Sequence, residues 1–165
     1  MKKLMACAVF VVAALGLAAQ QQPARGRGQA PAGRGAPAPP REELKTSKMV
    51  GHETIAGCSK AGTFVNTPQY MVQCSNRTGP GVVEIHMKET DIIYVIDGEA
   101  TFVTDGKALN VKSDNPEQPR GTDIQGGASH HLVKGDVIVV PAGQPHWFKE
   151  VPKSVSYYVI KVLKP

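Results

Sequence analysis

Downstream of residue 48 no stretch carries the three-to-four-residue apolar spacing of an ordinary amphipathic helix, so strands must build any core. The chain also lacks a glycine-rich cofactor-binding loop and the strongly turned elbow that presents a serine or cysteine nucleophile. Cysteine is scarce. The three present, Cys7, Cys58 and Cys74, are too far apart to form the close pairs of a structural zinc site. The longest apolar run, Leu4–Ala19, is shorter than the roughly 20 residues that a membrane helix needs.

What is present divides the chain into three. Lys2 and Lys3 precede that apolar run, and the small residues Gly16 and Ala18 follow within it. The pattern reads as a secretory signal peptide over residues 1–18, with a retained anchor as the lesser alternative. Residues 19–47 are rich in Gly, Pro, Ala, Gln and Arg and have no periodic apolar positions. They read as a flexible tether, with one turn of helix expected over residues 41–48. The folded unit is expected over residues 48–165, exported to the periplasm or secreted.

The formal net charge of +5 is misleading, because residues 48–165 hold 12 basic and 12 acidic side chains. The excess lies in the leader and the tether, so neither a nucleic-acid nor a membrane surface is expected on the mature domain. Removing the leader leaves Cys58 and Cys74. In an oxidising compartment they form either one disulfide or two buried thiols on neighbouring strands.

From residue 48 onward, short β-prone runs alternate with turn signals about every ten residues, the pattern of an all-β sandwich or barrel. Strands are expected over Met49–Ile55, Thr63–Asn66, Gln69–Ser75, Gly81–Met87, Ile92–Ile96 and Ala100–Thr104. Further strands are expected over Ala108–Val111, His130–Val133, Val137–Val140 (as a buried strand), His146–Lys149 and Val155–Val162. Asp97-Gly98 and Asp105-Gly106 read as hairpin turns, and Lys112–Ala128 as a long polar loop or lid.

Two segments carry the chemistry. Residues two apart on a strand share a face, so Glu84 and His86 project together, and Asp91 opens the next strand. His146 follows the Pro141-Ala142-Gly143 turn far away in sequence. Two imidazoles with carboxylates suit a divalent transition metal and leave coordination positions open for catalysis. Glu84, His86, Asp91 and His146 around a dication would be formally neutral, which lowers the cost of burial. Without metal, the same four residues would form a hydrogen-bonded acid–imidazole cluster. His130 shares the phase of Leu132 and is a lesser candidate; His131 and His52 read as surface residues.

Residues 81–98 and 135–146 resemble the two motifs of the cupin superfamily. Gly135, Pro141, Gly143 and His146 match the second motif, whose later asparagine falls here at Glu150. In the first motif, counting back from Gly98 places Asp91 where the family has glutamate. It places His86 at the second histidine and Glu84 where the family has its first. The resemblance implies a small double-stranded β-helix barrel with a ligand mouth at one end. It further implies a divalent metal (Fe, Mn, Zn, Ni or Cu) on Glu84, His86 and His146, with Asp91 as fourth ligand or catalytic base. The function implied is acting on, or binding, a small polar organic molecule; the alternative is a metal-free sensing or carrier module. Pairing of edge strands into a homodimer is a further expectation.

Overall fold

The computed structural model describes residues 40–56, 58 and 62–164; the leader and residues 19–39 of the tether lie outside them. The elements in chain order are α1 (His52–Ala56), β1 (Gly62–Asn66), β2 (Tyr70–Arg77), β3 (Val83–Ile85) and β4 (Glu89–Thr104). They continue with β5 (Lys107–Leu109), β6 (Arg120–Gly121), β7 (Asp123–Gln125) and β8 (Ala128–Val133). The last three are β9 (Val137–Val140), β10 (Pro145–Glu150) and β11 (Val155–Leu163). All pairings are antiparallel, and the main sheet runs β1-β2-β11-β4-β10-β3-β6, with β8 and β9 also on β4.

Strand β4 belongs to both layers of the barrel. Its first half lies between β9 and β11, and its second half between β8 and β10. The expected hairpin at Asp97-Gly98 is therefore replaced by one continuous 16-residue strand. A bulge opposite Ser156 and Tyr157 changes the strand's phase: Asp91, Ile93 and Val95 are buried before it, Ala100 and Phe102 after it. Both halves thus keep an apolar face inward while the strand bends from one layer into the other. At Asp105-Gly106 both residues have positive φ (64° and 69°), as a hairpin turn would need. Their neighbours pair elsewhere, however, Thr104 with Ala128 and Lys107 with Gln125, so the dipeptide turns a corner.

Four other expectations are corrected. Residues 52–56 form a helix rather than a strand, its first turn closed by Thr54 and Ile55 N–H groups on the Gly51 carbonyl (3.0 and 3.2 Å). Residues 41–48 form no helical turn; the Glu42 N–H donates to Asn66 O (2.9 Å) and Lys48 Nζ to Phe64 O (2.6 Å), which ties the segment to β1. Strand β9 is an edge strand rather than a buried one, with Val137 and Val139 more than half exposed and Val140 buried. Of the expected long loop, residues 120–121 and 123–125 are strands.

The core between the layers is Ile93, Val95, Ala100, Phe102, Leu132, Val140, Phe148, Val151, Val155, Tyr157 and Val159. Phe148 lies between Phe102 (4.6 Å, edge-on) and Tyr157 (4.9 Å, stacked), a packing aromatic rings favour. A smaller cluster, Val83, Val103 and Ile124, is flanked by Ala108 and Trp147. Cys58 and Cys74 are joined in a disulfide, their Cα atoms 5.9 Å apart, within the usual span for such a bond.

Two stability predictions follow from these features. Gly98 has φ +79°, and a Cβ there would collide with the Ser154 carbonyl, so Gly98→Ala should cost about 3 kcal/mol or more in denaturant unfolding. A loss below about 0.5 kcal/mol would show that the bend does not require glycine. Closing the loop between Cys58 and Cys74 restricts the unfolded chain, so Cys74→Ser should cost about 3 kcal/mol. Reductant should destabilise the native chain similarly, whereas equal stability with and without it would mean free thiols.

Candidate functional site

The strand registers assemble the site. His146 on β10 stands opposite Glu84 on β3, and Glu84 stands opposite Arg120 on β6. In the other layer Lys161 on β11 stands opposite Asp91 on β4. Directly paired residues project from the same face, so both rows aim into the barrel. His86 lies just beyond β3, where its carbonyl accepts from Gly143 N–H (2.8 Å). Gly143 has φ +86°, so the Pro-Ala-Gly turn of the second motif clasps the first motif at its histidine.

All four expected site residues meet. His86 Nε2 lies 3.6 Å from Glu84 Oε2 and 3.5 Å from Asp91 Oδ2. His146 Nε2 lies 3.9 and 3.8 Å from the same two oxygens. Both imidazoles and Asp91 are buried, and Glu84 is the most open of the four, with 25% of its side chain exposed.

The hydrogen bonds set which ring nitrogens carry protons. His146 Nδ1 donates to the Gln144 carbonyl (3.2 Å). His86 Nδ1 lies 2.5 Å from Gln118 Oε1, while Gln118 Nε2 donates to Glu89 Oε2 (3.3 Å). Glu89 can only accept, which orients the amide and makes His86 Nδ1 the donor. Each imidazole therefore turns Nε2 toward the two carboxylates, offering a lone pair when the ring is neutral and a second N–H when it is protonated. Each Nε2 lies 3.5–3.9 Å from both carboxylate oxygens, an arrangement that a second proton on a ring or a cation satisfies. Ligands about 2.1 Å from a tetrahedral ion would lie about 3.4 Å apart, close to this spacing. The donor set fits a metal: ligand atoms of Glu84, His86 and His146 all lie within 4.8 Å of one another, as do those of His86, Glu89 and Asp91.

Several site residues were not foreseen. Lys161 Nζ donates to both oxygens of Asp91 (2.7 and 2.9 Å) and pairs with Glu89 (3.1 Å). Its strand had shown the signal: Val155, Tyr157, Val159 and Lys161 share the buried phase, which puts a lysine where an apolar residue is expected. Glu89 lies between the expected strands Gly81–Met87 and Ile92–Ile96, and Gln118 and Arg120 lie in the expected polar loop. Arg77 Nε donates to Tyr157 Oη (3.0 Å), its guanidinium lies over the Phe148 ring, and its Nη2 stands 3.7 Å from Glu84 Oε1. Arg120 approaches that same oxygen at 3.9 Å. The formal charge therefore differs from the sequence-based expectation. Three acids, Glu84, Glu89 and Asp91, meet the bases Arg77, Arg120 and Lys161, with half-exposed Arg41 as a further base 4.0 Å from Glu89, so the acids are fully matched before any dication enters. The remaining histidines stay outside: His130 is bonded to Thr104 Oγ1 (2.9 Å), exposed His131 pairs with Glu99 (3.3 Å), and His52 is exposed on α1.

Burial would raise the Glu84 pKa. The His86 hydrogen bond and the Arg120 and Arg77 guanidinium groups outweigh it and hold the carboxyl well below the usual range. Burial also opposes ionisation of Glu89, but Lys161 beside it holds its pKa down. Burial, reinforced by His86, pushes His146 down to about 4 against the pull of Glu84 and Asp91.

The family model described as Cupin matches residues 42–165. The chain belongs to the cupin family. Its fold is accordingly the all-β cupin barrel. Among solved structures, a Bacillus halodurans protein aligns with TM-score 0.51 at 12% identity, over 73% of this chain and 85% of its own. The cupin domain of Schizosaccharomyces pombe Cnp3 aligns with TM-score 0.47 at 12% identity, over 64% and 61% of the respective chains. Peruvianin-I, a cysteine peptidase from Thevetia peruviana latex, aligns with TM-score 0.40 at 14% identity over 61% of this chain; this cupin spans about half (54%) of its length. At such identities the likeness is one of fold. No curated protein matches the chain.

Acid should weaken the metal-free cupin in a defined window. Below pH 6.5 an unfolded imidazole takes up a proton that native His146 refuses until about pH 4. The unfolded state then binds more protons, so stability falls as pH falls through that range. The loss should be on the order of 3 kcal/mol by denaturant unfolding. Glu84 adds to it below its ordinary value of 4.5, where the unfolded carboxylate protonates first. His146→Gln should flatten the slope between pH 6.5 and 4, and an unchanged slope would assign it to other groups.

Proposed function

We propose that this cupin binds one divalent transition metal on Glu84, His86 and His146 and uses the centre to bind or transform a small polar organic molecule. The observation that carries the proposal is the convergence of two Nε2 atoms on two carboxylates at 3.5–3.9 Å. When bound, such an ion supplies Lewis acidity and lowers the pKa of water on it. The chain does the rest. Gln118 and the Gln144 carbonyl hold the two rings in the tautomer that ligates. Fully buried Phe102, its ring 6.0 Å from His146, excludes water from the inner side. With Lys161 on both of its oxygens, Asp91 is a fixed anion that orients the site, and it becomes a fourth ligand or a base only as that contact loosens. We also propose that the chain is exported, its leader removed, and that the domain works in the periplasm or outside the cell.

A second reading is favoured by Lys161, whose ammonium already brings a cation to Asp91 and Glu89. On that reading the site is a metal-free polar pocket. Elemental analysis of tag-free protein from its exported compartment separates the two. About one equivalent of metal is expected, lost in a His86→Ala/His146→Ala variant, with chelator lowering the melting temperature of the native protein alone. At a free metal concentration 100 times Kd, the stabilisation should be about 2.7 kcal/mol. No metal as isolated, and none after reconstitution, would overturn the metal centre and leave the pocket.

A further inference from the structure

We infer that the small molecule taken by this site is an anion, a carboxylate whose charged group docks on Arg120 at the mouth. The inference rests on the metal centre proposed above and adds the class of its ligand. Its first ground is charge. Glu84, Glu89 and Asp91 are matched by Arg77, Arg120 and Lys161, all linked within 4 Å through the contacts around Glu84 and Asp91, and half-exposed Arg41 adds a further cation 4.0 Å from Glu89. With Nδ1–H of both imidazoles on neutral oxygen acceptors and Nε2 on the proposed metal, the rings add no charge. A dication added to this set leaves an excess of at least two positive charges in a largely buried site. Such an excess is costly to leave unpaired, and an anionic ligand offsets it.

The second ground is where solvent enters. His86, Asp91 and His146 have side chains at most 6% exposed, whereas Glu84 is 25% exposed and Arg120 beside it 40%. A ligand approaching from solvent therefore reaches the centre on the Glu84 side, past Arg120. Arg77 has little to offer such a ligand, since it is committed to Tyr157, Phe148 and Glu84. Arg120 touches only the Pro119 carbonyl (3.3 Å) and, at 3.9 Å, Glu84, so among the described residues its remaining N–H groups have no partner. A guanidinium with free N–H groups takes a planar carboxylate through two parallel hydrogen bonds. Glu84 keeps it in place: Oε1 faces the two arginines and Oε2 the two imidazoles.

The test uses calorimetry on metal-free protein titrated first with Zn2+, and on the Zn2+ form titrated with glycolate, glycolamide and inorganic phosphate. Glycolate and glycolamide share a hydroxyl and differ in charge. Glycolate should bind at least tenfold more tightly than glycolamide, and Arg120→Gln should retain Zn2+ binding while losing at least tenfold in glycolate affinity. Equal binding of the two probes, or glycolate affinity unchanged in Arg120→Gln, would overturn the inference and leave the metal centre standing. Phosphate binding more tightly than glycolate through Arg120 would uphold the anion and overturn the carboxylate. Failure of Zn2+ to bind would overturn the metal centre itself. In that case Arg120-dependent glycolate binding to the metal-free protein would still uphold the docking role, and its absence would overturn that too.

Discussion

Everything in this barrel hangs on β4 being hydrogen-bonded to four strands at once. Over its first half it joins β9 and β11, and over its second half β8 and β10. The bulge before Gly98 lets one strand serve both layers, because it shifts the burial phase and leaves Ile93 and Val95 facing the same core as Ala100 and Phe102. Closing the layers in this way also sets the site. Asp91 sits on the first half of β4, while His146 pairs across to Thr104 at the end of the second.

The site reads as a charge-compensated cluster rather than as four isolated ligands. A relay runs from Lys161 through Glu89 and the Gln118 amide to Nδ1 of His86. That relay determines which imidazole nitrogen is free, and so which face of the ring can take a cation or a proton. On the open side Glu84 joins the inner imidazoles to the outer arginines. Buried ions stay charged only when every one is paired, and here each has a partner within 4 Å. The departures from the usual cupin ligand set, Glu84 for histidine and Asp91 for glutamate, fall where a basic side chain stands close by.

Much of this was legible in the residues. Apart from β6 and β7, which fall in the expected polar loop, the strands follow alternation and turn signals, and the glycine, proline and histidine spacing at residues 135–146 locates both the clasping turn and one imidazole. Glu84, His86, Asp91 and His146 were identifiable by type and spacing, and the structure brings all four together. Two of the errors share a cause. Asp97-Gly98 has the composition of a hairpin turn, and Val137–Val140 that of a buried strand, but both outcomes depend on which other strand lies alongside.

The sequence by itself therefore determined the local preferences: which runs extend, where positive φ is needed, and which side chains can ligate or carry charge. Only the tertiary structure decided the partnerships. Lys161 is 70 residues from Asp91, and Gln118 is 32 from His86. No local pattern encodes such pairings, because register follows from the simultaneous burial of both faces of a closed sheet. Whether the site is neutral or charged, and which end of each histidine faces it, followed from that closure.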